Sequence, residues 1–144
     1  MTFRRLPSLT LLLAAVTLTA AACGDDSPSG PSAPAPVQIT EMVPEAPGTL
    51  TPNGGITHIF PVQQAGSISV ALSTLAPDST ATVGLGLGSW NGTSCAQTIV
   101  KDDATQGTTI LGEATATGNY CVRIYDAAGT LPGAVEYQLT ISHF

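Results

Sequence analysis

Few residues of this 144-residue chain have types and spacing that could do chemistry. It holds two histidines, His58 and His143, and three cysteines, Cys23, Cys95 and Cys121. Neither histidine has a carboxylate or cysteine at ligand spacing along the sequence. His58 reads as a strand residue and His143 as a tail residue, not as a base or a ligand. Serines are abundant, yet no Gly-X-Ser-X-Gly elbow presents one as a nucleophile. Glu41, Glu45 and Asp126 would have to converge to hold Ca²⁺, which takes six to eight oxygens, and their spacing does not require it. Asp102-Asp103, after Lys101, reads as the cap of a solvated turn. The sequence therefore predicts no enzyme, no metal site and no cofactor.

What remains is contact chemistry. Trp90 stands at the exit of an alternating run, beside Asn91-Gly92. An aromatic exposed there could stack on a sugar ring, which offers an apolar face with a polar rim. The alternative is a Trp90 packed over the end of the fold. Tyr125 shares the outward parity of Cys121 and is a second candidate contact, whereas Tyr120 and Tyr137 read as core.

The elements that position these residues are strands. Tyr120, Val122 and Ile124 alternate with Cys121, Arg123 and Tyr125, between the turn signal Gly118-Asn119 and Asp126. This is the pattern of a central, half-buried strand. Val83, Leu85 and Leu87 interleave with Thr82, Gly84, Gly86 and Gly88 in the cleanest alternation of the chain. A glycine face lets something pack closely on it, either a loop or strand of the same chain or a ligand. Further strands are expected at 37–43, 57–62, 67–75, 98–101, 108–116 and 135–142. Pro61 puts its strand at an edge or an end. Residues 44–55 read as a turn-rich connection and 90–97 as a loop. No stretch keeps a helical period. The expected fold is all-β: an antiparallel, jelly-roll-like β-sandwich of about seven to eight strands.

The first 36 residues are different. Arg4 and Arg5 precede an uncharged, mostly apolar run over 9–22, shorter than the roughly 20 residues that span a bilayer. It reads as a secretory signal peptide. The following Leu18-Thr19-Ala20-Ala21-Ala22-Cys23 resembles a bacterial lipoprotein lipobox. That resemblance implies cleavage before Cys23 and lipidation of its thiol, and two or more acyl chains anchor stably. Gly24 stands where the family's inner-membrane signal would place aspartate, which implies the outer membrane of a host that has one. Residues 24–36 are rich in Pro and Ser, cannot bury a core, and read as an extended tether. The expected organisation is therefore a signal peptide over 1–22, a lipidated cysteine and linker over 23–36, and a sandwich domain over 37–144.

Beyond the leader, only Lys101 and Arg123 face all ten acidic residues, a net charge of −8. Such a surface repels phosphates, so nucleic acid is excluded as a partner. With Cys23 lipidated and the chain exported, Cys95 and Cys121 form an even pair in an oxidising compartment and are expected to bridge. Closing about 26 residues would stabilise the fold by about 3.5 kcal/mol on the chain-entropy model. A reactive or metal-binding pair is the other reading.

The domain also resembles the bacterial pre-peptidase C-terminal domain family. The resemblance runs from about Thr57 to Ile141. It is carried by Phe60-Pro61-Val62-Gln63-Gln64-Ala65-Gly66 before Ile68 to Leu72, by Thr82 to Leu87, by Thr117-Gly118-Asn119-Tyr120-Cys121-Val122, and by Tyr137 to Ile141. It implies a β-sandwich with an accessory role and no reaction of its own. The family pattern has acidic residues in the strand equivalent to 81–87; this chain has Thr and Gly there. Together these features predict a non-catalytic lipoprotein of the cell envelope. Its partner would be an envelope protein or, in the alternative reading, a polysaccharide held around Trp90.

Overall fold

A computed structural model describes residues 37–144; the leader, Cys23 and the linker lie outside the described residues. Eight strands run in order: β1 (Ile39–Leu50), β2 (Gly55–Val62), β3 (Gly66–Ala76), β4 (Val83–Trp90), β5 (Cys95–Ala104), β6 (Thr109–Ala114), β7 (Gly118–Tyr125) and β8 (Val135–His143). They form two four-stranded sheets, β1-β8-β3-β6 and β2-β7-β4-β5, with every neighbouring pair antiparallel. We call them the β8 sheet and the β7 sheet after an inner strand of each. The fold is the expected all-β sandwich. Among the described residues, β4 and β5 are the only successive strands that share a sheet.

The alternating residues supply the core. Val83, Leu85 and Leu87 of β4, Val122 and Ile124 of β7, and Tyr137, Leu139 and Ile141 of β8 are all at most 2% exposed. Ile68, Val70 and Leu72 of β3 meet them from the β8 sheet. Each such side chain contributes about 1.5–3 kcal/mol of burial.

Several elements depart from the sequence reading. β1 does not stop at Val43 but continues to Leu50, with its register shifted between Val43 and Gly48. Pro44 falls in this bulge on an edge strand, where no ladder donor is missed. β5 starts at Cys95, so the 90–97 loop shrinks to the four-residue turn Asn91–Ser94. The Asn91 side chain supports that turn, its Oδ1 accepting from the amides of Thr93 (2.9 Å) and Ser94 (2.8 Å). β5 also runs through Asp102 and Asp103, which are therefore strand residues and not a turn cap; Lys101 pairs with Asp103 at 2.7 Å. His143 is not a tail residue. It continues the inward parity of β8 by one more step and is 2% exposed.

One loop is held by a single carboxylate. Asp126 accepts from the amides of Asn53 (2.9 Å), Thr130 (3.1 Å) and Leu131 (3.3 Å). These bonds favour the ionised form and hold its pKa below the ordinary carboxylate value. Asp126 lies at the end of the sandwich where β2 begins, whereas Glu41 lies at the other end, beside His143. The carboxylates weighed as a calcium set do not meet, and among the described residues no three His, Cys, Asp or Glu side chains gather.

Candidate contact face

The outer face of the β7 sheet is built on glycines. On β4, the inward Val83, Leu85 and Leu87 leave Gly84, Gly86 and Gly88 pointing out, yet all three are buried. Each is roofed by another part of the chain: Gly84 by the Tyr125 ring, Gly86 by the Gln97 side chain, and Gly88 by the backbone of Ala96. A Cβ at any of the three would collide with its cover. The glycine face is thus occupied by the chain itself and is not an open ligand platform.

Ala96 can lie over Gly88 because β5 begins by folding across the outside of β4. Gly88 pairs with Cys121 on one side and with Gln97 on the other. Cys95 and Cys121 therefore belong to strands with β4 between them, yet their Cα atoms are 5.8 Å apart and joined by a disulfide. Two strand spacings would separate them by about 9.5 Å. The bridge reaches over β4, and only a residue without a side chain at Gly88 leaves room for it. Cys121 is fully buried beneath this crossing.

At the other end of the face, Tyr125 and Arg123 lean apart from β7. The Tyr125 ring covers Gly84 of β4, and its hydroxyl donates to Asp102 Oδ1 on β5. Partial burial, then this hydrogen bond and the Asp102 charge, push the Tyr125 phenol up to about 12; the Arg123 charge opposes them. The Arg123 side chain runs over Gly55 of β2, where a Cβ would come within 2.9 Å of Nη2. Its guanidinium stays 5.7 Å from the Tyr125 centroid, within reach of a cation–π contact. On the same face Val100 of β5 stands opposite Gly86 and Ile59 of β2 opposite Cys121, exposed by 51% and 47%. A ring fixed flat, a positioned guanidinium and two bare aliphatic side chains thus share one sheet surface.

Trp90 is the last residue of β4, opposite Cys95, and is half-buried. It stands six residues along β4 from Gly84, the partner of Tyr125, or roughly 20 Å at the usual strand rise. The two aromatics singled out from sequence do not form one patch. The residues that gather around Tyr125 are Arg123 and Asp102, with Gln97 and Val100 at the neighbouring Gly86. Arg123 was visible in sequence, since it alternates with Cys121 and Tyr125 on one strand face. The rest depend on which strands become neighbours.

No catalytic arrangement is found among the described residues. His58 Nε2 lies 2.7 Å from the Tyr137 hydroxyl, with the rings edge to face at 5.8 Å and no carboxylate behind the imidazole. Burial lowers the His58 pKa and raises that of Tyr137, so the pair is a neutral hydrogen bond. Concavities of about 230, 370 and 290 Å³ indent the sandwich, and the ionisable residues around them are Glu113 and Tyr120, Glu136 alone, and Asp78 alone. No acid–base pair converges in any of the three.

No family model matches the chain, and no curated protein matches it either. The likeness to the pre-peptidase C-terminal domain therefore rests on the residues quoted for it. Among solved structures, the chain is similar to the crystal structure of Aeromonas hydrophila PliG, a periplasmic lysozyme inhibitor of g-type lysozyme. The identity is 15%, the match covers 73% of this chain and 84% of that chain, and the TM-score is 0.47.

Proposed function

We propose that this chain is a lipid-anchored, non-catalytic protein of the cell envelope whose sandwich docks an envelope protein through the outer face of the β7 sheet. The observation that carries the reading is the glycine floor, which immobilises Tyr125 and positions Arg123 on a face that also exposes Val100 and Ile59. Aromatic residues and arginine are enriched at protein interfaces, and a side chain already held in place loses little entropy on binding. The anchor is Cys23 and residues 24–36 are the tether, in the outer membrane of a host that has one. No reaction is assigned to the domain.

Site-specific photocrosslinking in the native envelope tests the docking face. A photoreactive residue at Val100 should give one discrete adduct, and one at Thr140, on the opposite sheet, should give none. Equal labelling from both positions, or none from Val100, rules the face out. The anchor has its own test: a Cys23→Ser chain should leave the membrane fraction, and its retention there would refute lipid anchoring.

A second reading, a polysaccharide-binding module, is favoured by the Tyr125 ring lying flat on Gly84, since such a ring can stack on a sugar. Titrating a glycan panel by calorimetry against the wild-type chain and against Tyr125→Ala separates the two. A saturable response that Tyr125→Ala abolishes supports the glycan. No response leaves the protein partner.

A further inference from the structure

The edge strands of a sheet present unpaired amides and carbonyls that invite a further strand. Here the edges are β1 and β6 of the β8 sheet and β2 and β5 of the β7 sheet. All but one are blocked. β1 carries Pro44, Pro47 and a register break. β2 carries Pro61. β5 shifts register twice against β4 and bears Lys101, Asp102 and Asp103. β6 has no proline, its ladder with β3 runs unbroken from Thr109 to Ala114, and its one charge is Glu113. Leu111, near its middle, is 70% exposed.

The free backbone groups of β6 follow from its pairing. Leu72 of β3 turns its backbone to this side: its amide donates to the Thr108 carbonyl (2.9 Å), and its carbonyl accepts from the Gly107 amide (2.8 Å). Antiparallel alternation then bonds Val70, Ile68 and Gly66 to Ile110, Gly112 and Ala114. The amides and carbonyls of Thr109, Leu111 and Glu113 point away from β3, and among the described residues no strand meets them. Beside this edge lies the concavity of about 230 Å³, with Ile68, Leu87 and Ile99 in its lining. Gly112 borders it, sharing the inward parity of the buried Ile110 and Ala114 but contributing no side chain.

We propose that the β6 edge binds an extended, basic peptide segment of a second protein, which adds a strand to the β8 sheet and places one apolar side chain between the sheets beside Gly112. Backbone bonds to Thr109, Leu111 and Glu113 supply affinity, and alternate side chains supply selectivity. The residue opposite Gly112 stands one strand spacing away, about 4.8 Å, with its side chain toward the concavity. An aliphatic residue there packs against Ile68, Leu87 and Ile99. Outward residues lie beside Glu113, and the chain beyond the leader carries −8, which favours lysine or arginine there. A second copy of this chain does not fit. Two such acidic copies repel, and the inward side chains of a second β6, Ile110 and Ala114, are already buried in its own core. The edge belongs to the β8 sheet and does not rest on the docking proposed for the β7 sheet.

The test uses a synthetic peptide of about seven residues, long enough to pair with all of β6, in which lysines alternate with valines around a central leucine. Added to the full chain, it should give saturable NMR shifts and slow the amide exchange of Thr109, Leu111 and Glu113, while β1 and β2 amides stay unchanged. Serine for the central leucine should weaken binding about tenfold, the loss of one buried aliphatic side chain. Leu111→Pro removes an outward amide but no bond to β3, which an edge strand tolerates, and binding should be lost. Glu113→Lys, at an exposed position, should weaken the lysine peptide and strengthen one carrying glutamates. No saturation, slow exchange at the three amides in the free chain, or indifference to the serine substitution overturns the proposal. Binding that survives Leu111→Pro does the same, as does dimerisation that protects these amides, which would assign the edge to a second copy. If Leu111→Pro does not fold, Glu113→Lys and the serine peptide still decide.

Discussion

The outer faces of the two sheets are made in opposite ways. On the β8 sheet, Thr40, Ser142, Ser69 and Leu111 form one row across the four strands, and Met42, Thr140, Ala71 and Thr109 form the next. These side chains stand up from a regular ladder, and Thr40 and Ser142 bond each other across it at 2.9 Å. On the β7 sheet the floor is glycine, and the longer side chains of Tyr125, Gln97 and Arg123 lie down on it. That face mixes hydroxyls with the exposed Met42 and Leu111, each standing free of its neighbours and replaceable. Side chains laid on glycine are fixed by what is missing beneath them. A surface can thus be organised by deleting side chains as well as by adding them.

Substitutions should separate the two faces, in descending order of effect. Gly88→Val puts a branched side chain where the Ala96 backbone lies. It should prevent the β5 crossing and leave Cys95 and Cys121 unpaired, read by thiol labelling and loss of cooperative unfolding. Cys95→Ser with Cys121→Ser removes only the bridge. That change should cost about 3.5 kcal/mol, within a usual range of about 2–5, measured as a lower urea midpoint with an unchanged fold. At the other end of the face, Asp102→Asn removes a charge that favours the neutral Tyr125 phenol. Its ionisation, followed by ultraviolet absorbance, should fall from about 12 toward the ordinary value. The same bond makes an alkaline prediction. The folded value lies above the unfolded value of about 10, so the contribution of Tyr125 is complete below pH 10 and is lost between 10 and 12. The smallest effect belongs to the hydroxyl face: Thr140→Val should change stability by no more than about 0.5 kcal/mol. A large loss there would erase the distinction between the faces.

The alternating residues made β3, β4, β7 and β8 legible in the sequence, because each buries one face of a period-2 pattern. Pro61 correctly marked β2 as an edge. β5 was half-hidden because its register shifts twice against β4, which scrambles the alternation. The second half of β1 was hidden by Pro44 and the bulge. The glycines of β4 announced a close approach, but not that Tyr125, Gln97 and Ala96 would make it. That depends on the register between β4, β5 and β7, which no local pattern encodes. Trp90 and Tyr125 each read as a candidate contact, and the register sets them far apart. Glu41 and His143 come from near opposite ends of the domain, so their meeting could not be read from spacing.

The alternation of strands between sheets sets how this domain must be assembled. At every connection but one, the chain leaves a sheet and returns to it only after placing a strand in the other. Apart from the β4–β5 hairpin, no strand finds its ladder partner next in sequence. Loop closure therefore precedes most of the reward, and chains of this kind fold on millisecond-to-second timescales, not in microseconds. The hairpin is the one piece able to form early, and it carries the glycines on which the rest of the β7 sheet is later laid. A glycine-rich hairpin has little apolar surface of its own to hold it together in isolation. β7 pairs with β4 of the hairpin on one side and with β2 on the other, so it is the strand that joins the hairpin to the rest of its sheet.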